Sequence, residues 1–508
     1  MSAPQALISH REALGSDSVG SPAIGYRRST MSVKSVKLER PPKEHVSDQA
    51  WWGLVLASAT SMVVGIAVTA VNVVFPAIEA DFEGASRTSL SWGITGYSIA
   101  LASLMLVGGR LADRMGRRRI FVIGVSVFCL ASVALALAPA AWVFVAARLG
   151  QAVGAALASP SSLSLVLEQF PASRRPSAIA TWTGLGTMGA AIGPSFSAVV
   201  SEQFGWRWVF VVPLFATVAS LALATRVLPE GRPTGVALGR LDVLGTVLGT
   251  LGVGMVAAVI TEGPHLGLTS PFVVICGAGA ALLLPWFVRR SLTHAEPLLD
   301  LRLLREPNIT AVNLVNVGFT GAGTASWLIY PLFMVQHWDY SVMRAGLALT
   351  PFPIVASVTG IVAGRVSERI GIRRVIAWGA LLPAAGLLWQ SFRLVDSPNY
   401  LTGILPGAVL FNLGFGIVYA PTTALALRSV AEHQMGQATA MLSSSRYLGA
   451  GLGVALVISI IGNADVVPVA SFHRALFAVT IMALLSGVVI LVALRVPAEF
   501  RQGRRDLR

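Results

Sequence analysis

The sequence predicts an all-α membrane protein of fourteen transmembrane helices: two six-helix bundles with two additional helices between them. Three observations predict it: a charge-poor composition, a succession of apolar stretches near bilayer length, and one basic hairpin that occurs twice. Of 508 residues, 54% are hydrophobic and 12% charged, whereas an ordinary soluble domain carries roughly 25% charged residues. A water-soluble enzyme of this size would need a charged surface that this chain cannot supply. Lipid is therefore the solvent for most of it.

The charge pattern narrows the class further. The formal net charge is +14, but the only lysines are Lys34, Lys37 and Lys43, and the arginines sit between apolar runs. That is the pattern of membrane-protein loops rather than of a nucleic-acid surface, so no nucleic-acid partner is expected. Cys129 and Cys276 lie inside apolar runs with no CxxC, and no histidine cluster accompanies them. Neither a disulfide nor a metal or other cofactor is expected. The histidines fall in the tail or near the ends of apolar runs, which argues against a histidine proton relay in mid-membrane. A P-loop needs Gly-Lys-Ser/Thr, yet the lysines follow Val33, Val36 and Pro42. The expectation is a transporter not driven by its own ATPase, and not an enzyme.

Residues 1–47 are Ser/Pro-rich and basic and lack the apolar centre of a signal peptide. They read as a disordered cytoplasmic tail, within which Met31 offers a second start. Spans of about the ~20-residue crossing length follow at 52–77, 88–109, 119–138, 141–167, 177–200, 208–227, 243–261, 271–288, 308–335, 345–364, 375–394, 400–427, 437–461 and 475–494. The predicted parts are an N-terminal bundle (48–228), the additional pair with its linkers (229–306), a C-terminal bundle (307–495) and a cytoplasmic tail (496–508). The central pair is barely long enough, which leaves a twelve-span chain with a re-entrant loop as the alternative.

Orientation follows from the basic residues. With the N-terminus inside, 31 of 38 fall in inner segments. Five are outside (Arg87, Arg207, Arg344, Arg393, Arg474), and Arg148 and Arg446 lie within spans. This positive-inside bias predicts cytoplasmic termini in an inner membrane. The hairpin Gly109-Arg-Leu-Ala-Asp113-Arg114-Met-Gly116-Arg117-Arg-Arg119 recurs as Gly364-Arg-Val-Ser-Glu368-Arg369-Ile-Gly371-Ile-Arg-Arg374, each copy after the second span of its half. Two halves in the same orientation describe a parallel-repeat transporter.

These residues resemble the major facilitator superfamily. The 109–119 hairpin is similar to its loop signature between spans two and three. Arg148-Leu-Gly-Gln151-Ala-Val-Gly-Ala-Ala156 is similar to its span-four signature, with Ala152 where glycine is usual. Gly189-Ala-Ala-Ile-Gly193-Pro194 resembles the exporters' span-five motif, although Ser197 and Ala198 replace a glycine pair. Trp206-Arg-Trp-Val-Phe210 is also typical, and the Gly239–Gly245 entry to span seven resembles the fourteen-span drug:proton antiporter branch. The resemblance implies alternating access of two bundles, with the hairpin residues Gly109, Asp113, Arg114, Gly116, Arg117, Gly364, Glu368 and Arg369 as gate or latch. A purely topogenic hairpin is the plainer reading, and its repetition favours the latch.

Gly184, Gly186 and Gly189 spell GxGxxG, but an apolar helix surrounds them instead of the strand that a dinucleotide site requires. Small residues let helix backbones approach, so Gly189, Gly193 and Pro194 are assigned to a flexing seam. Arg148, Gln151, Asn72, Thr69 and Arg446 are the candidates for the substrate cavity. Arg148 is either neutralised by a ligand or water, or held by backbone carbonyls and Gln151. Arg446 either faces the cavity or snorkels to the surface. Where the branch pattern of span one has an acid, Ala67 stands here, and no Asp or Glu lies deep within a span. Proton coupling needs such a group. The expected partners are a small amphiphilic substrate, protons if transport is coupled, and the bilayer, with a monomer as the unit. Three functions follow: a proton-driven exporter, an uncoupled facilitator or lipid transporter of anionic or neutral amphiphiles, and, third, a non-transporting sensor.

Overall fold

A computed structural model describes residues 46–495, except 172–173, 229–241, 295–296, 298, 431–433 and 465. The predicted tails (Val46 and Ser47 apart), most of the 229–242 linker and the side chains of Asp113, Glu368 and Arg369 lie outside the described residues, as do the surroundings of Gly364. Among the described residues the chain is all-helical. The first half holds α1 (Asp48–Asp81), α2 (Arg87–Met115), α3 (Arg117–Ala136), α4 (Ala141–Gln169), α5 (Arg175–Phe204) and α6 (Trp208–Val227). Two further helices follow, α7 (Val243–Leu266) and α8 (Pro271–Thr293), then a 3-10 turn (Leu301–Arg305). The second half is α9 (Pro307–His337), α10 (Val342–Ala348) with α11 (Pro351–Ile370), α12 (Ile372–Gly379) with α13 (Leu382–Arg393), α14 (Tyr400–Gly403) with α15 (Leu405–Arg428), α16 (Met435–Ile461) and α17 (Val469–Ala493). Its three broken helices restart with Pro351, Pro383 and Pro406 in the first turn. Proline is favoured there because the N–H it lacks has no helical partner in any case.

Each predicted stretch coincides with a helix or a broken pair. By length and apolarity, ten of these qualify as membrane spans, and α5 with α6 qualify together as a pair bent by 116°. The helices that fall short, α2 and α9, carry buried polar residues: Thr88, Ser91, Thr95 and Ser98 on one, Asn308, Asn313, Asn316 and Ser326 on the other. Both pack between other helices, where protein rather than lipid surrounds them. At the lipid-facing extreme, α8 exposes Phe272, Ile275, Leu282 and Trp286.

The hairpin repeat is a repeat of backbone geometry. Gly116 (φ 98°) joins α2 to α3 and Gly371 (φ 91°) joins α11 to α12. Each ends its first helix through its N–H, to Ala112 O at 3.0 Å and to Ser367 O at 3.1 Å. A positive φ is costly for residues with a Cβ, which is why glycine recurs at this corner.

Contacts between the halves run along α2–α16, α5–α10 and α1–α9, and α7 lies against both α2 and α16. At the predicted outer end, a Cβ on Gly346 of α10 would stand 2.2 Å from Ala198 Cβ and 3.0 Å from Pro194 O. Ser195 and Thr350 share a short hydrogen bond there. The small residue at 198, in place of a glycine, therefore meets a glycine on the opposite half.

Candidate functional site

Arg148, on α4, is 1% exposed. Its Nε donates to Gly93 O (2.9 Å) and its Nη1 to Gln151 Oε1 (2.5 Å). Gln151 Nε2 donates to Ser132 Oγ (2.8 Å), which donates to Phe128 O (2.8 Å). The guanidinium carbon lies 4.0 Å from the Tyr97 ring centroid. α2, α3 and α4 thus each supply part of one polarised chain of donors, with a cation–π contact against Tyr97. Of the two arrangements the sequence left open for Arg148, this one is held by a carbonyl and Gln151. A cavity of about 10 Å3, room for one water, touches Gln151 and Ser132 and is also lined by Ala67. A side chain at 67 faces the Gln151 end of the network.

Arg446, on α16, is held differently. It is half-buried, its Nη2 donates to Ser443 Oγ (2.9 Å), and its guanidinium lies 5.4 Å from the Tyr419 ring centroid. No carboxylate among the described residues pairs with it. Beneath it, α15 carries Phe411, Phe415 and Tyr419 in a near-parallel stack. The i, i+4, i+8 spacing of these rings is visible in the sequence, where it reads as ordinary apolar helix.

Of the other candidates, Thr69, Gly189 and Gly193 fall into the contact between α1 and α5. Thr69 Oγ1 donates to Ala190 O (3.1 Å). A Cβ on Gly189 would stand 2.1 Å from Met62 O, and one on Gly193 2.1 Å from Thr69 Oγ1. Backbones approach this closely only where the side chain is a hydrogen atom. Asn72, one turn along from Thr69, is 1% exposed and its Oδ1 has no partner among the described residues. Thr69 therefore joins the two helices.

One participant was hidden in the sequence. Arg87, predicted as an outer loop arginine, is 2% exposed. Its Nη2 pairs with Glu79 at 2.7 Å, and its Nη1 donates to Gly462 O and Ala464 O, both at 3.0 Å. Next to it, Thr88 donates through N (2.9 Å) and Oγ1 (2.8 Å) to Asn463 Oδ1. A cation of the first half thus caps the C-terminus of α16 in the second, where unsatisfied carbonyls carry partial negative charge. No local pattern marks a contact between residues 375 positions apart.

At the opposite end, Arg117 pairs with Glu168 of α4 at 2.7 Å, Arg114 is exposed, and Arg110 donates to Pro297 O at 2.6 Å. The described partner of Arg117 is thus in its own half. Arg110 ties α2 to the segment that follows α8.

The family model described as Major Facilitator Superfamily matches residues 57–243 and 312–507. The chain belongs to the major facilitator superfamily. The unmatched interval holds most of α7, α8 and the 3-10 turn. This facilitator is 32% identical over 472 residues to the puromycin resistance protein pur8 of Streptomyces alboniger, covering 91% of this chain and 92% of that one. It is 33% identical over 415 residues to the cephamycin export protein CmcT of Amycolatopsis lactamdurans, covering 81% and 85%. A crystal structure of a D-xylose–proton symporter superposes with TM-score 0.64 at 16% identity, over 87% of this chain and 97% of that one. The facilitator is a multi-pass membrane protein and a secondary transporter.

Proposed function

We propose that this facilitator exports amphiphilic compounds, drug-like or lipid-like, across the inner membrane by alternating access of its two bundles. In this reading all fourteen helical passes cross the membrane, both termini are cytoplasmic, and a single chain is the working unit. The observation that carries the reading is the seal at the end predicted to face outward. Arg87 with Gly462 O and Ala464 O, Thr88 with Asn463, and Gly346 against Pro194 and Ala198 all join the halves there. A transporter must hold such a seal in one state and release it in the other. The names of the two relatives, a resistance protein and an export protein, support the outward direction. In the same reading, the two hairpin corners form the gate that closes when the outer seal opens.

A second reading, an uncoupled facilitator or lipid transporter, is favoured by Ala67. The cavity beside Gln151 has no carboxylate among its lining residues. Flux in proteoliposomes with and without an imposed pH gradient separates the two. Coupled export requires flux to rise with the gradient, and flux indifferent to it leaves the uncoupled reading. Ala67→Asp sharpens the test, because it places an acid in the cavity and is expected to make an indifferent flux depend on the gradient.

A further inference from the structure

We infer that the groove between the start of α9 and the end of α17 binds an anionic phospholipid, its phosphate on Arg495 and an acyl chain along α9. This goes beyond the export reading and is independent of the direction of transport. The groove has a volume of about 330 Å3. It is lined by Leu304 of the 3-10 turn, by Pro307, Ala311 and Leu314 of α9, and by Val492 and Arg495 at the end of α17. From Pro307 to Leu314 its wall runs along α9 for about 10 Å of helix rise. The deeper part is apolar: Leu314 is 54% and Val492 80% exposed, and in a bilayer both meet lipid chains.

The backbone that carries the charge is fixed in place. Asn308, buried in the first turn of α9, accepts from Arg495 N (2.8 Å) and donates to Arg495 O (2.9 Å). The preceding residue, Leu494, packs against the apolar cluster of Leu303, Ile309 and Leu442. Position 495 is therefore held against α9, 187 positions away in sequence. The Arg495 side chain is exposed, and none of the described carboxylates pairs with it. Thr310, the other polar side chain of the lining, donates to Leu304 O, so the guanidinium supplies the open donors of the groove. Among the described residues no carboxylate lines it; Glu306, before Pro307, is exposed outside the lining.

Charge and apolar surface select the occupant together. A free phosphate would use the guanidinium and leave the apolar wall uncovered, and a neutral lipid would cover the wall and leave the charge unmatched. A zwitterionic lipid brings a second cation towards Arg495. An anionic phospholipid satisfies both parts: its phosphate takes the guanidinium fork, and its chain covers Leu314 and Val492. Basic pockets between helices on the cytoplasmic side recognise anionic head groups in this way, and both segments lie at the predicted inner end. The plainer reading gives Arg495 a topogenic role alone, or a contact with the carbonyls that end α17. That reading involves none of the apolar groove.

The test is native mass spectrometry of the purified full chain in detergent, titrated with dioleoylphosphatidylglycerol or dioleoylphosphatidylcholine, with glycerol 3-phosphate as competitor. The expected result is at least about five-fold tighter binding of the first anionic lipid than of the zwitterionic one, the scale of one arginine at a charged membrane surface. Arg495→Gln should abolish that preference. Val492→Trp, at an exposed position on the groove, should weaken the anionic lipid about five-fold by filling the space beside Leu314. Arg305→Gln, at an exposed arginine on the adjoining turn but outside the lining, should leave the preference intact. A preference that survives Arg495→Gln overturns the proposal. One lost equally with Arg305→Gln does so too, because general surface charge then explains it. Binding indifferent to Val492→Trp removes the groove from the account, and displacement of the lipid by glycerol 3-phosphate reduces the site to one for anions; either result sinks the proposal.

Discussion

Arg148 and Arg446 are the two arginines that the sequence places within spans, and the structure treats them in opposite ways. Arg148 is enclosed by a carbonyl, an amide and a ring, with Gln151 and Ser132 extending the network across three helices. Arg446 has one hydroxyl partner and rests at the edge of a half-exposed aromatic face. A guanidinium enclosed by a carbonyl, an amide and a ring organises the protein around it. The other, half-buried, has one hydroxyl partner and one ring beside it. The difference lies in the neighbours, since the two side chains are chemically the same.

This contrast can be broken most directly at the enclosed site. Gln151→Leu removes the acceptor of the buried Arg148 Nη1 and the donor to Ser132 Oγ, an expected loss of about 3 kcal/mol, read as a lower thermal midpoint of the purified protein. An unchanged midpoint would mean that water replaces the amide and that the site is not closed. Arg87 gives an intermediate case, a buried arginine whose partners belong to both halves. Arg87→Gln removes an ion pair and two carbonyl contacts, about 2 kcal/mol in favour of the state open at the outer end. Maleimide labelling of Thr350→Cys from outside, with Cys129 and Cys276 replaced, should then accelerate about ten-fold or more. The smallest effect belongs to Arg446. Ser443→Ala should shift stability by no more than about 0.5 kcal/mol, because the freed donor reaches water; a shift comparable to that of Gln151→Leu would show Arg446 to be structural as well.

The helices were legible because lipid imposes one rule along the whole chain: apolar stretches of crossing length. α2 and α9 show where that rule weakens. Buried between other helices, they keep rows of Ser, Thr and Asn that lower their apolarity. The hairpin corners were legible for a different reason. Gly116 and Gly371 must take positive φ, and only glycine does so cheaply. The spacing of Gly189 and Gly193 likewise announced a close approach, and the structure pairs it with Met62 and Thr69 of α1.

Thr69 and Arg87 mark the limit of such reading. A threonine on a central helix is equally suited to a cavity or to a neighbour's carbonyl, and Ala190 O decided between them. An arginine in a short outer turn has the signature of a solvated loop until Glu79 and the end of α16 close around it. Composition, periodicity and glycine placement act locally, so they settled the class, the helical stretches and the repeat from the amino acids alone. Which arginine is enclosed and which end is sealed depend on residues from tens to hundreds of positions apart. Only packing brings those together, because the free energy of a buried charge depends on what surrounds it.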